Sequence, residues 1–164
     1  WCYDSSEAQR IGSSKEVAGR GGHYLLVDQA VWNDPASRGR SLHLFGQASA
    51  ASSAASPFTK WYGAGVVLYK PFDGRPKDSL ALGYGRAVPN PRSRDVQQDN
   101  AYANGQDYPN LDSGEQLIEL SYGYQATPWL TLRPDLQYVI EPGAFSGQDI
   151  DNALLLGLQV KASF

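Results

Sequence analysis

Hydrophobic and polar positions alternate with a period of two along much of the chain. Between Leu130 and Glu141, the residues Leu130, Leu132, Pro134, Leu136, Tyr138 and Ile140 share one face. Thr131, Arg133, Asp135, Gln137 and Glu141 share the other, with Val139 among them. Between Ala153 and Phe164, Leu154, Leu156, Leu158, Val160, Ala162 and Phe164 alternate with Ala153, Leu155, Gly157, Gln159, Lys161 and Ser163. Successive strand side chains point to opposite faces, so this pattern predicts two β-strands. Strands of about ten residues are also long enough to cross a bilayer when tilted. In a soluble sandwich the apolar face would be buried. In a membrane barrel it meets lipid, and the polar face meets a wet lumen. Charges of both signs at close spacing, Arg133 with Asp135 and Glu141, favour the barrel.

The same reading yields six further strands. Trp1–Ser5 reads as the end of one, followed by a polar, Gly-rich loop over 7–22. His23–Trp32 is a strand of mixed register. Leu25, Val27 and Val31 share a face with Gln29, and Tyr24, Leu26 and Trp32 share one with Asp28. A carboxylate facing lipid is costly, so Asp28 is placed inward, and the mixed register admits a bulge. Ser41–Ala50 follows, with Leu42, Leu44, Ala48 and Ala50 on one face. Thr59–Tyr69 turns Tyr62, Ala64, Val66 and Leu68 outward. Ser79–Val88 turns Leu80, Leu82, Tyr84 and Val88 outward, with Arg86 placed near the interface, where its stem can snorkel. Glu115–Thr127 turns Ile118, Leu120, Tyr122, Tyr124 and Ala126 outward, and Glu115, Glu119, Ser121, Gly123 and Gln125 inward. The loops 7–22, 51–58, 89–113 and 142–151 are expected to be longer and extracellular. The turns 33–40, 71–78 and 127–129 are expected to be shorter and periplasmic. Residues 89–113 show no periodicity and read as one long irregular loop that covers or constricts the pore.

Composition narrows this further. A length of 164 residues makes one domain the expectation. Ten Tyr and four Trp, many near strand ends, suit aromatic girdles. No apolar run approaches the ~18 residues of a transmembrane helix. The net charge of −3 argues against a nucleic-acid partner. Cys2 is the one cysteine, so neither an internal disulfide nor a cysteine metal site can form. With no Met and an opening Trp-Cys-Tyr-Asp that reads as mid-strand, the chain is expected to be the C-terminal part of a longer protein, or a processed chain.

Trp129-Leu-Thr-Leu-Arg-Pro-Asp-Leu-Gln-Tyr-Val-Ile-Glu-Pro-Gly143 and Leu156-Gly-Leu-Gln-Val-Lys-Ala-Ser-Phe164 resemble the C-terminus of OprB-type carbohydrate-selective porins. Gly74-Arg-Pro-Lys-Asp78 does so in its turn, and Leu44-Phe-Gly-Gln47 more loosely. The terminal aromatic residue resembles the assembly signal of outer-membrane barrels. The resemblance covers most of residues 22–164. It implies an all-β, antiparallel transmembrane β-barrel in the bacterial outer membrane, of about sixteen strands and roughly 400 residues. The whole chain, 1–164, would supply eight strands as a single barrel segment, without the N-terminal half and its constriction residues. The implied activity is passive diffusion of sugars such as glucose. The implied partners are small carbohydrates, outer-membrane lipid and lipopolysaccharide, in a monomer or a trimer.

A sugar is held by hydrogen bonds to its hydroxyls, and planar Arg forks and carboxylates suit these. Arg133, Asp135, Glu119, Gln137, Glu141, Gln159 and Lys161 point inward on three consecutive strands and form the expected solute path. Taken singly, each also reads as an ordinary wall residue. His23 and His43 lack the spacing of a metal site, and Asp95, Asp99, Asp107 and Asp112 lack the EF-hand pattern. No cofactor is expected. No G-x-S-x-G nucleophile motif occurs, so an enzyme is not expected. Two other readings stand beside the porin: a complete eight-stranded barrel acting as anchor or adhesin, and a soluble β-sandwich. Inward Gly83, Gly85, Gly123 and Gly157 would leave the interior of a small barrel unfilled.

Overall fold

Eight antiparallel strands form one sheet, in sequence order, in a computed structural model that describes residues 1–108 and 114–163. The strands are β1 (Cys2–Gln9), β2 (Glu16–Asn33), β3 (Ser41–Ala51), β4 (Phe58–Tyr69), β5 (Ser79–Pro89), β6 (Glu115–Thr127), β7 (Leu130–Ile140) and β8 (Ala153–Ala162). One helix, α1 (Pro91–Ala103), lies between β5 and β6. β1 and β8 are the edges of the sheet, and among the described residues they do not pair with each other to close a ring.

Register fixes which side chains share a face, because directly opposed residues of an antiparallel pair point the same way. Leu44, Val66, Leu82, Leu120, Leu136 and Leu156 form one lateral row across β3–β8. Val27, Gly46, Ala64, Tyr84, Ile118, Tyr138 and Leu154 form the next. Most of these large apolar side chains are exposed, Leu156 at 86%. Among the described residues the one buried hydrophobic side chain is that of Ala144. A soluble sandwich would bury one face of its sheet, whereas among the described residues nothing covers this apolar face. A continuous exposed apolar surface of this size belongs against lipid.

The expected bulge in β2 is present. Ala30 opposes His43 and Trp32 opposes Leu42, so one residue is extra. Asp28 therefore stays on the inner face, opposite Phe45, while Trp32 crosses to the apolar face beside Leu42. The bulge resolves the conflict in the sequence: the carboxylate faces in and the indole joins the aromatic residues Phe72, Tyr122 and Tyr124 at that end.

Two expectations fail. Residues 7–22 are not a long loop: β1 runs to Gln9 and β2 starts at Glu16, with only 10–15 between them. The first two connections at that end, 10–15 and 52–57, are no longer than the turns 34–40 and 70–78 opposite. The asymmetry of long loops and short turns thus rests on β5–β6 and β7–β8. Residues 89–113 are not wholly irregular either, because they contain α1. The Asn90 side chain caps it by accepting from the Arg92 N–H at 2.9 Å, Pro91 occupies the first turn, and Gly105 at φ 68 follows its end. Residues 109–113 and Phe164 lie outside the described residues, and with them the rest of that loop, Asp112 and the terminal aromatic signal.

The loop-bearing end is cross-tied. Asn90 Nδ2 donates to the carbonyls of Ser53 and Ser56, both at 2.8 Å. Val96 of α1 lies against Gly12 in the β1–β2 turn. Gln97 donates to the Phe145 carbonyl at 3.0 Å, in the β7–β8 loop. The Phe145 ring meets Phe58 edge-on at 6.4 Å. Phe58 opposes Pro89 beyond a bulge and so shares the face of Ala87 and Gly85. A loop rooted at β7 reaches β4 on that face only if the sheet is concave there, which identifies the inner side.

Candidate solute path

Glu119, Gln137 and Leu155 oppose one another across β6, β7 and β8, and Ser121, Asp135 and Gly157 form the next row. Below it Arg133 opposes Gln159, and Thr131 opposes Lys161. Six of the seven residues expected on the path, Arg133, Asp135, Glu119, Gln137, Gln159 and Lys161, therefore share the concave face. Glu141 does not. It stands one residue past the end of β7, at φ 53, where its N–H donates to the Asn152 side chain at 3.1 Å. The left-handed residue ends the strand and turns the chain into the β7–β8 loop.

Gln137 links two carboxylates. Its amide nitrogen donates to Asp135 Oδ1 at 2.8 Å and to Glu119 Oε2 at 3.3 Å. One amide group carries two N–H donors, so both like-charged neighbours are held by a neutral residue. Asp135 lies flat because Gly157 opposes it: a Cβ there would meet the carboxylate oxygens at 2.5 Å. Arg133 is exposed and forms no ion pair with Asp135 or Glu119 among the described residues. Its Nε lies 3.8 Å from where a Cβ of Gly123 would stand. The β6–β7 ladder skips the pairs Tyr122–Pro134 and Gly123–Arg133, because Pro134 has no N–H to give. The result is a surface with carboxylate and amide acceptors above and guanidinium and ammonium donors below.

Sequence reasoning did not single out a second inner cluster. Asp28 Oδ1 lies 3.3 Å from His43 Nδ1, and the His43 ring meets Tyr69 edge-on at 5.0 Å. Phe45 and Trp61 lie over Gly65, Gly83, Gly63 and Gly85, so aromatic faces line the wall where glycines make room. The Gly positions of β4 and β5 were the available signal. His23 is on the outer face, opposite Ala50, so the two histidines cannot meet on one metal ion. Asp95 and Asp99 lie on α1.

Residues 3–164 match the family described as carbohydrate-selective porin, OprB family. The chain is 33% identical over 99% of its length to Porin B of Pseudomonas aeruginosa, covering 37% of that protein. It is 28% identical to the putative porin QuiX of Acinetobacter baylyi, covering 99% of this chain and 38% of that one. Among solved structures, the high-pH structure of Pseudomonas putida OprB superposes with a TM-score of 0.87 at 28% identity, over 99% of this chain and 43% of that chain. The low-pH structure of the same protein gives 0.60 at 26% identity, over 88% and 37%. The chain spans less than half the length of these relatives. The location is the bacterial outer membrane, and in a barrel of that membrane the polar face of a strand lines the lumen while the apolar face meets lipid. The chain belongs to the carbohydrate-selective porin family OprB, and its eight strands are part of that family's β-barrel.

Proposed function

We propose that the complete barrel, of which this chain is one segment, lets small carbohydrates such as glucose diffuse passively into the periplasm. Arg133, Asp135, Glu119, Gln137, Gln159 and Lys161 form a weak binding surface on the wall. The observation that carries this reading is the Gln137 bridge between Asp135 and Glu119 beside Arg133, which forms no ion pair among the described residues. Neighbouring hydroxyls of a sugar each donate and accept, so a wall with acceptors adjoining a planar donor fork matches them. Each such bond contributes about 0.5–1.5 kcal/mol net, weak enough for release. Diffusion makes and breaks no covalent bond, and no wall residue is assigned a catalytic role. The remaining strands, supplied by the rest of the polypeptide, would close the barrel at the edges β1 and β8.

The test is liposome swelling by the full-length protein with glucose and with an amino acid of similar size. Arg133→Ala should widen the path and lower the preference for glucose, and Lys161→Ala, nearer the periplasmic mouth, should do less. If Arg133→Ala leaves both rates and their ratio unchanged, Arg133 is wall and not filter.

A further inference from the structure

On the lipid side, at the end that carries α1, His23, Ala50, Lys60 and Val88 form one lateral row. Lys60 and His23 are exposed, and Arg86 lies one row below Lys60 on the neighbouring strand. Cations on a lipid-facing surface are costly in hydrocarbon and favourable at the level of anionic head groups. His23 and Lys60 are two strands apart, so their backbones are separated by about 10 Å. Between them the outer surface is hollow. Ala50 and Ala48 floor a groove of about 300 Å³, walled by Leu25 and Tyr62. It continues toward mid-membrane as an apolar trough of about 390 Å³ over Gly46 and Ala64, flanked by Val27 and Tyr84. From Ala50 to Gly46 the trough runs about 13 Å along β3, room for much of one acyl chain.

We propose that this groove binds lipopolysaccharide of the outer leaflet, its lipid A phosphates at His23 and Lys60 and one acyl chain along Ala48 and Gly46. Two donors rooted on strands about 10 Å apart suit a head group with more than one phosphate better than a single phosphodiester. The proposal rests on the α1 end being extracellular, the orientation in which the outer leaflet reaches this row.

The test uses the purified full-length barrel in detergent, with native mass spectrometry as the readout. The probes are bisphosphorylated lipid A, the same lipid with its phosphates removed, and phosphatidylglycerol. Bisphosphorylated lipid A should bind best of the three. Lys60→Gln should weaken it about fivefold, the worth of one cation near an anionic surface. The double variant His23→Gln/Lys60→Gln should weaken it further, and Ala48→Leu, which fills the trough, should weaken it with both donor side chains intact. Glucose swelling by the double variant should stay at the wild-type rate, because neither side chain faces the lumen. That readout also shows that the variant has folded. Equal binding of phosphatidylglycerol, or unchanged lipid A binding in the double variant, would overturn the proposal, and neither result bears on the sugar path.

Discussion

The carboxylate of Asp78 accepts the backbone N–H of Gln125 at 2.9 Å, beyond the point where β5 stops pairing with β6. Arg75 donates to the carbonyl of the same Gln125 at 3.1 Å. Two side chains of the β4–β5 turn thus satisfy both backbone groups of a residue for which β5 has no partner. Arg75 Nε and Asp78 Oδ2 are paired at 2.7 Å, the Tyr122 hydroxyl donates to Asp78 at 2.6 Å, and the Arg75 guanidinium lies 4.0 Å from the Tyr124 ring centre. This is the Gly74-Arg-Pro-Lys-Asp78 turn of the family resemblance, and its specificity has a structural cause.

Replacing Asp78 should therefore be costly. The carboxylate is 1% exposed, and Asp78→Ala leaves the Gln125 N–H and the Tyr122 hydroxyl without their acceptor. The expected loss is about 2–4 kcal/mol, since each stranded buried donor costs about 1–3. Urea titration of the barrel in lipid vesicles measures it, and a loss below about 1 kcal/mol would mean that water replaces the carboxylate.

Acid should act on the same group. Burial pushes the Asp78 carboxyl up, but the Arg75 and Tyr122 side chains and the Gln125 N–H outweigh it and hold the group below its ordinary 3.8. A carboxylate with a lowered folded pKa stabilises above its unfolded value and loses that contribution as pH falls through the lowered one. Stability should decline below about pH 4, and Asp78→Asn should flatten that decline. The check is the same titration repeated from pH 7 to pH 3, and an equal slope for both proteins would remove Asp78 from the account.

The two faces of the sheet should respond oppositely to charge. Leu136→Arg places a guanidinium in the middle of the lipid face and should cost about 2–4 kcal/mol of folding in a bilayer. Leu155→Arg, opposite Gln137 on the lumen face, should cost well under half of that. Vesicle folding of both variants gives the comparison, and equal losses would undo the assignment of faces.

Gly157 should be needed for the width of the path. A methyl at this position meets the Asp135 oxygens at 2.5 Å, so Gly157→Ala must lift the carboxylate off the wall. The expected cost is about 1–3 kcal/mol of overpacking, with slower glucose swelling. Swelling at the wild-type rate would place Asp135 away from the narrow part.

The β5–β6 connection should be reachable from outside. Protease added to intact cells is expected to cut between α1 and β6. Cleavage seen only after the outer membrane is opened would invert the barrel and with it the lipid proposal.

The strands of this fold were legible because a sheet with one polar and one apolar face repeats every two residues. Leu136, Leu156 and Asp135 stand on the faces that parity assigned. Parity fails where a ladder is irregular. Trp32 required a bulge whose position no composition marks, and Glu141 required a left-handed residue one step past a strand that otherwise continued the alternation. The helix was missed for another reason. Lying across the mouth, α1 has no buried residues and hence no apolar stripe, so only its capping pair Asn90-Pro91 and the following Gly105 announced it. Of the candidate path, side-chain identity and facing were readable, whereas the Gln137 bridge depends on the exact register of β6 on β7.

Asn90, Val96 and Gln97 tie α1 to the connections before β2, before β4 and before β8. Connections at the end of a barrel that touch nothing else can change one at a time. Here a change in any one of these segments alters the footing of a helix shared by the others. The rim at this end of the segment is thus mechanically coupled: a loop grafted alone from a relative should disturb neighbours it never touches.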